Sequence, residues 1–117
     1  MSVTPFEQLA NLDRRVHDPA RLSILTALSA CERADFLFLQ RITGLTKGNL
    51  SSHLSKLEEA GLVETEKRFV SKKTQTLVRL TGEGRETIES YWREIQELRK
   101  SAASWQVHMS MPEPAPG

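Results

Sequence analysis

The sequence has a single cysteine, Cys31, in 117 residues. One thiol excludes an internal disulfide and suits a reducing compartment. No apolar run approaches the roughly 18 residues that a membrane span needs. The opening segment MSVTPFEQLANLDRR lacks the basic flank and apolar stretch of a secretory signal, so a cytoplasmic location with no membrane partner is expected. The three histidines (His17, His53 and His108) and Cys31 show no paired spacing, so neither a metal site nor a cofactor is expected. No nucleophile constellation is present, and Thr81-Gly82-Glu83-Gly84 lacks the spacing and the lysine of a nucleotide-binding loop. An enzyme is therefore not expected.

The formal net charge is only +1, but its distribution is uneven. From Arg41 to Arg79 the cations are Arg41, Lys47, Lys56, Lys67, Arg68, Lys72, Lys73 and Arg79, against the acids Glu58, Glu59, Glu64 and Glu66. The compensating acids follow at Glu83, Glu86, Glu89, Glu94 and Glu97. Such asymmetry can turn one surface toward a polyanion in a nearly neutral molecule.

Local signals divide the chain. Thr4-Pro5-Phe6-Glu7 reads as a capped helix start, followed by Phe6, Leu9, Leu12 and Val16 at helical spacing. Asp18-Pro19 repeats the signal before Leu22, Ile24, Leu25 and Leu28. Ala34-Asp35-Phe36 is either a short extended piece or the cap of a third helix carrying Phe36, Leu37, Leu39 and Ile42, which Gly44 stops. Thr46 can cap a fourth helix with Leu50, Leu54 and Leu57 on one face. Beyond Gly61 the period changes to two: Val63, Thr65, Lys67 and Phe69 alternate with polar residues, Val70-Ser71-Lys72-Lys73 forms a tip, and Thr74 to Leu80 is strand-like again. A last long helix carries Ile88, Tyr91, Trp92, Ile95 and Leu98. The expected architecture is mainly α with a small β-hairpin: a helix-turn-helix followed by a wing. The expected domain covers 1–101, with 102–117 a flexible tail in which MSMPEPAPG is proline-rich.

The segment GLTKGNLSSHLSKLEEAGLVE, Gly44 to Glu64, resembles the winged helix-turn-helix regulators of the MarR and ArsR type. DPARLSILTAL (Asp18 to Leu28), FVSKKTQTLVRLT (Phe69 to Thr81) and LTGEGRETIESYW (Leu80 to Trp92) extend the resemblance over about residues 6 to 100, in the family's order. The resemblance implies N- and C-terminal dimerisation helices around the winged domain, a transcriptional role that is more often repression, and duplex DNA as partner. The chain departs from metal-sensing relatives in lacking their Cys and His clusters, and from MarR-type relatives in its shorter length.

The chemistry of a DNA contact can be assigned to residues. Phosphates need cations, and base edges need polar side chains that reach into a groove. Thr46 and Lys47 sit at a helix N-terminus, where the dipole also favours a phosphate. Opposite the leucines, Asn49, Ser51, Ser52, His53 and Lys56 are candidates, with Asn49, Ser52 and His53 chosen for base edges. Lys72 and Lys73 can reach an adjacent minor groove, and Lys67, Arg68 and Arg79 can add backbone contacts. The bland alternatives are that the serines are simply solvated and that the wing lysines only discourage edge pairing. A dimer interface is expected from Phe6, Leu9, Leu12, Ile88, Tyr91, Trp92, Ile95 and Leu98, although the same stripe can pack within one chain. A small-molecule effector, if one binds, is expected between the first and last helices. The competing reading is a protein-interaction module, which would carry exposed apolar groups on the same face. An RNA-binding domain is weaker, for want of an aromatic stacking platform on the strands.

Overall fold

A computed structural model describes residues 3–108. Its helices begin at side chains that occupy their first free amides. Thr4 Oγ1 accepts from Glu7 N at 3.1 Å to open α1, Pro5–Ala10. Asp18 accepts from Arg21 N at 3.1 Å to open α2, Pro19–Ser29. Thr46 accepts from Asn49 N at 3.1 Å to open α4, Lys47–Glu59. Ala34-Asp35 fulfils both of its possible roles. The pair forms β1, Ala34–Asp35, and Asp35 then caps α3, Phe36–Thr43, by accepting from Leu37 N at 2.6 Å. Gly44, at φ 71°, turns the chain left-handed and ends α3.

The first helix is shorter than its periodicity suggests. Apolar residues recur at helical spacing as far as Val16, yet α1 stops at Ala10. Asn11 Nδ2 donates to Glu7 O at 2.7 Å, and Asp13 Oδ1 accepts from Arg15 N at 2.9 Å. These short polar side chains offer the backbone local partners that compete with the helical ladder. Leu12 and Val16 are nevertheless buried, so the apolar pattern recorded burial rather than helix.

The wing consists of β2, Val63–Val70, and β3, Lys73–Leu80, paired antiparallel from Val63↔Leu80 to Val70↔Lys73. β1 adds a third strand on the other side of β3, so the expected hairpin is part of a three-stranded sheet in the order β1-β3-β2. Asp35 Oδ2 also accepts from Gln75 Nε2 at 2.7 Å, tying the start of α3 to the wing. That hydrogen bond is the main reason the Asp35 carboxyl titrates below its ordinary range, with further help from the Leu37 and Phe38 amides. The turn is the two-residue pair Ser71-Lys72, with φ 49° and 63°. Both positive angles fit a type I′ turn, which normally carries Asn-Gly.

The core fills the space between α2, α3, α4, the sheet and α5, Gly82–His108, with Ile24, Leu25, Leu28, Leu39, Leu50, Leu57, Val78 and Ile88 fully buried. Tyr91 is buried as well, with its hydroxyl 2.8 Å from His17 Nδ1, and burial pushes its phenol pKa up. α5 continues to His108, seven residues beyond the domain boundary expected at 101, and Trp105 meets Phe6 edge-to-face with ring centroids 6.0 Å apart. The rest of the expected tail, 109–117, lies outside the described residues.

Where α4 hands over to β2, and β3 to α5, the two crossings touch. Thr81 N donates to Leu62 O at 3.0 Å, and Thr81 Oγ1 donates to Gly61 O at 2.6 Å while accepting from Gly84 N at 2.9 Å. A Cβ on Gly84 would stand 2.8 Å from the Leu62 carbonyl carbon and closer still to its oxygen. At Gly82, by contrast, an added Cβ meets nothing within 4 Å.

Two expectations follow from this crossing and a third from the wing turn. Gly84→Ala forces two backbones apart and should destabilise by roughly 1–3 kcal/mol in urea unfolding, the usual cost of overpacking. Gly82→Ala should be neutral or stabilising by up to about 1 kcal/mol; equal losses for the two would show that the junction is not the constraint. Ser71→Asn should raise the unfolding midpoint without altering charge, because asparagine tolerates the left-handed region better than serine. An unchanged or lowered midpoint would count against the type I′ assignment.

Candidate nucleic-acid interface

The fourth helix separates its faces cleanly. Leu50, Leu54 and Leu57 point into the core, while Lys47, Gly48, Asn49, Ser51, Ser52, Ser55 and Lys56 are exposed. Thr46 is exposed at the cap, and the first turn of α4 holds no acid. The amides of that turn and the Lys47 ammonium therefore act in the same direction on an anion.

His53 is half-buried rather than exposed. Arg21 Nε of α2 donates to its Nδ1 at 3.3 Å, and Arg21 Nη1 donates to Arg14 O at 3.2 Å. A guanidinium can only donate, so Nδ1 accepts here and the ring's remaining proton sits on Nε2. Nothing in the sequence singles out Arg21 for this site. Thirty-two positions separate the two residues, and no spacing rule links them. Only the packing of α2 on α4 reveals the contact.

The wing sorts its cations by face. Side chains alternate along a strand, so Val63, Thr65, Lys67 and Phe69 share one face, opposite Leu80, Val78, Thr76 and Thr74 of β3. Val63, Val78 and Leu80 are buried at the base of that face. Farther out, Thr65, Lys67 and Thr76 line an open groove of about 370 Å³ with Lys47, Ser51 and Ser55 of α4. The other face carries ion pairs instead. Arg79 Nη2 lies 2.6 Å from Glu64 Oε2, and Arg68 Nε lies 3.3 Å from Glu66 Oε1. Arg68 and Arg79, expected as backbone contacts, are thus engaged with carboxylates on the face away from α4. Glu58 is also occupied, accepting from Thr65 N at 3.1 Å and Thr65 Oγ1 at 2.5 Å.

Charge is therefore arranged as well as counted. Among the described residues, none of Lys47, Lys56, Lys67, Lys72 and Lys73 forms an ion pair. Lys72 and Lys73 are exposed at and beside the turn. Thr46, Lys47, Asn49, Ser51, Ser52 and Lys56 lie together on one helix, with Lys67 on the facing side of the wing.

The residues considered for a dimer contact divide differently. Leu12, Ile88, Tyr91 and Leu98 are buried in the core of this chain, and Leu9 and Ile95 pack partly against it. Trp92 and Phe6 remain 42% and 54% exposed. Phe6 of α1 meets Trp105 of α5 edge-to-face, so the first and last helices pack together where an effector is expected. No described helix is long and apolar enough to cross a membrane.

Residues 20–99 match the model of a winged helix DNA-binding domain family. An uncharacterised protein of Methanocaldococcus jannaschii is 40% identical over 81 residues, which cover 69% of this chain and 88% of that protein. The solved transcriptional regulator homologue of Pyrococcus horikoshii OT3 superposes with a TM-score of 0.75 at 28% identity, over 84% of this chain and 96% of that one. A MarR-family regulator of Enterococcus faecalis V583 shares the fold, with a TM-score of 0.65 at 18% identity over 93% and 97% of the two chains. The chain belongs to the winged helix DNA-binding domain family, and its fold is that of the MarR-type transcriptional regulators.

Proposed function

We propose that the protein acts as a homodimer that occupies a palindromic duplex site and represses transcription there. One observation carries this reading: the acid-free start of α4, with Lys47, Asn49, Ser51 and Ser52 exposed, opens onto the groove that Lys67 and Thr76 line from the wing. A helix of this kind fits a major groove about 12 Å wide. Lys47 and the amides of its turn would hold a phosphate. Asn49 and Ser52 would reach base edges, and His53 would present its Nε2 proton to an acceptor such as guanine O6 or N7. Lys72 and Lys73 would bind phosphates from the wing.

Support for a dimer comes from α1 and α5. Trp92 and Phe6 keep large apolar surfaces exposed after the chain's own core is complete. A two-fold pairing through these helices would present two α4 helices roughly 34 Å apart, one turn of duplex. The protein-interaction reading retains one specific observation in its favour, the exposed Phe69 and Val70 beside the wing turn.

Selection from a random duplex pool, with sequencing of the bound fraction at moderate salt, tests the reading directly. An enriched palindrome with half-sites about one turn apart is expected. Absence of both enrichment and salt-sensitive binding would overturn the reading in favour of a protein partner. On the enriched site, Lys72→Ala with Lys73→Ala should weaken binding to all sequences and lower the log–log salt slope by about 0.9 for each phosphate that is no longer neutralised. An unaltered slope would remove the wing lysines from the interface. Asn49→Ala should relax preference at one base pair by roughly 1–3 kcal/mol; an equal loss on every sequence would mean that it only positions the helix.

A further inference from the structure

We propose that Phe69 is an apolar wedge, which the wing inserts into the minor groove beside the site of α4 and which bends the duplex at a flexible base step. The inference rests on the DNA-binding reading and adds to it a mode of contact and a deformation of the partner.

Phe69 is 76% exposed, the most exposed large apolar side chain among the described residues. Folding does not explain it. Its cross-strand partner is Thr74, and the core on its face of the sheet ends with Val63, Val78 and Leu80. A threonine at position 69 would serve the strand equally well and leave no aromatic surface in water.

Its direction is fixed by the ladder. Phe69 shares a face with Lys67, and Lys67 lines the groove opposite Lys47 and Ser51. Two residues farther along the strand, Phe69 stands about 7 Å beyond Lys67 toward the tip on the same face of the ladder. Duplex held by α4 would lie on that side.

The surrounding charge identifies the occupant. From Lys67 to Gly82 the chain has no acid; Lys67 shares the ring's face of the ladder, Lys72 stands in the turn just beyond it, and Lys73, paired with Val70, lies on the other face at the tip. An exposed ring within a cluster of cations is suited to a partner that offers phosphates on both sides of an apolar slot. The minor groove of a duplex does so: its walls are phosphate-lined, and side chains such as Phe can wedge between base pairs there and unstack a step. Pyrimidine–purine steps open most easily, so the wedge would also select sequence at a position where no hydrogen bond is made. The two-residue turn suits this use, because it keeps the tip narrow and sets Lys72 and Lys73 immediately beyond the ring.

The experiment uses the full chain and the duplex enriched by selection. Two readouts are needed: bending, from energy transfer between dyes on the duplex ends, and unstacking, from 2-aminopurine placed at successive steps outside the α4 half-site. Wild type should bend the duplex and brighten 2-aminopurine at one step. Phe69→Ala should bind with an unchanged salt slope, while bending and brightening disappear, and its thermal midpoint should not move because the side chain is exposed. Phe69→Leu should keep both signals in part, since it too can wedge. Straight DNA with wild type, or equal bending with wild type and Phe69→Ala, would overturn the wedge and leave the DNA-binding reading intact; Phe69 would then be assigned to a protein contact. Failure of wild type to bind any duplex would overturn both readings.

Discussion

The placement of the wing beside α4 depends on the contact between the backbone of Gly84 and that of Leu62. Four elements meet there: α4 has ended at Glu59, β2 is about to begin, β3 has just ended and α5 starts. Thr81 holds the crossing with bonds to Leu62 O and Gly61 O and receives the Gly84 amide. Any side chain at position 84 would collide with the Leu62 carbonyl. The junction sets where the base of the wing stands relative to the end of α4, and hence whether Lys67 faces Lys47 across one groove. Close approach of two backbones is a requirement only glycine meets.

Electrostatics then works by subtraction. The wing region holds cations and acids in sequence, but the sheet places Glu64 and Glu66 with Arg79 and Arg68 on the far face. Exposed ion pairs of this sort contribute little to stability. Their effect here is on the field: two of the acids are neutralised away from α4, and the lysines on the near side keep their charge available for phosphates. Glu58 is the exception: it lines the groove itself, and the Thr65 amide and hydroxyl fix its carboxylate in place without removing its charge.

Much of this was legible in the sequence because the signals were local. Thr4, Asp18, Thr46 and Gly44 announce helix ends through side-chain chemistry that acts over three or four residues, and each does what its type suggests. The leucine stripe of α4 and the alternation of β2 likewise follow from period alone. The illegible features arise where distant segments meet. The Arg21–His53 bond, the pairing of Arg68 and Arg79 with acids, and β1 joining β3 depend on packing or register. The end of α1 escaped periodicity for a different reason: Leu12 and Val16 are buried from a loop, and Asn11 and Asp13 supply bonds that stop the helix. Among the site candidates, Lys47, Asn49, Ser51 and Ser52 stand exposed as their positions opposite the leucines suggested, whereas His53 proved half-buried.

The length of α5 has a mechanical meaning. Its 27 residues form a rod about 40 Å long, at 1.5 Å per residue, with one end seated at the Gly84 crossing and Trp105 against Phe6 near the other. Because the seat is a tight contact between backbones, α5 cannot slide past the wing without moving it. A tilt of about 10° at the crossing would swing the far end by roughly 7 Å on a rod of that length. Because Ile88, Tyr91 and Leu98 are buried along the rod, such a tilt cannot occur at the crossing alone and would carry the core with it.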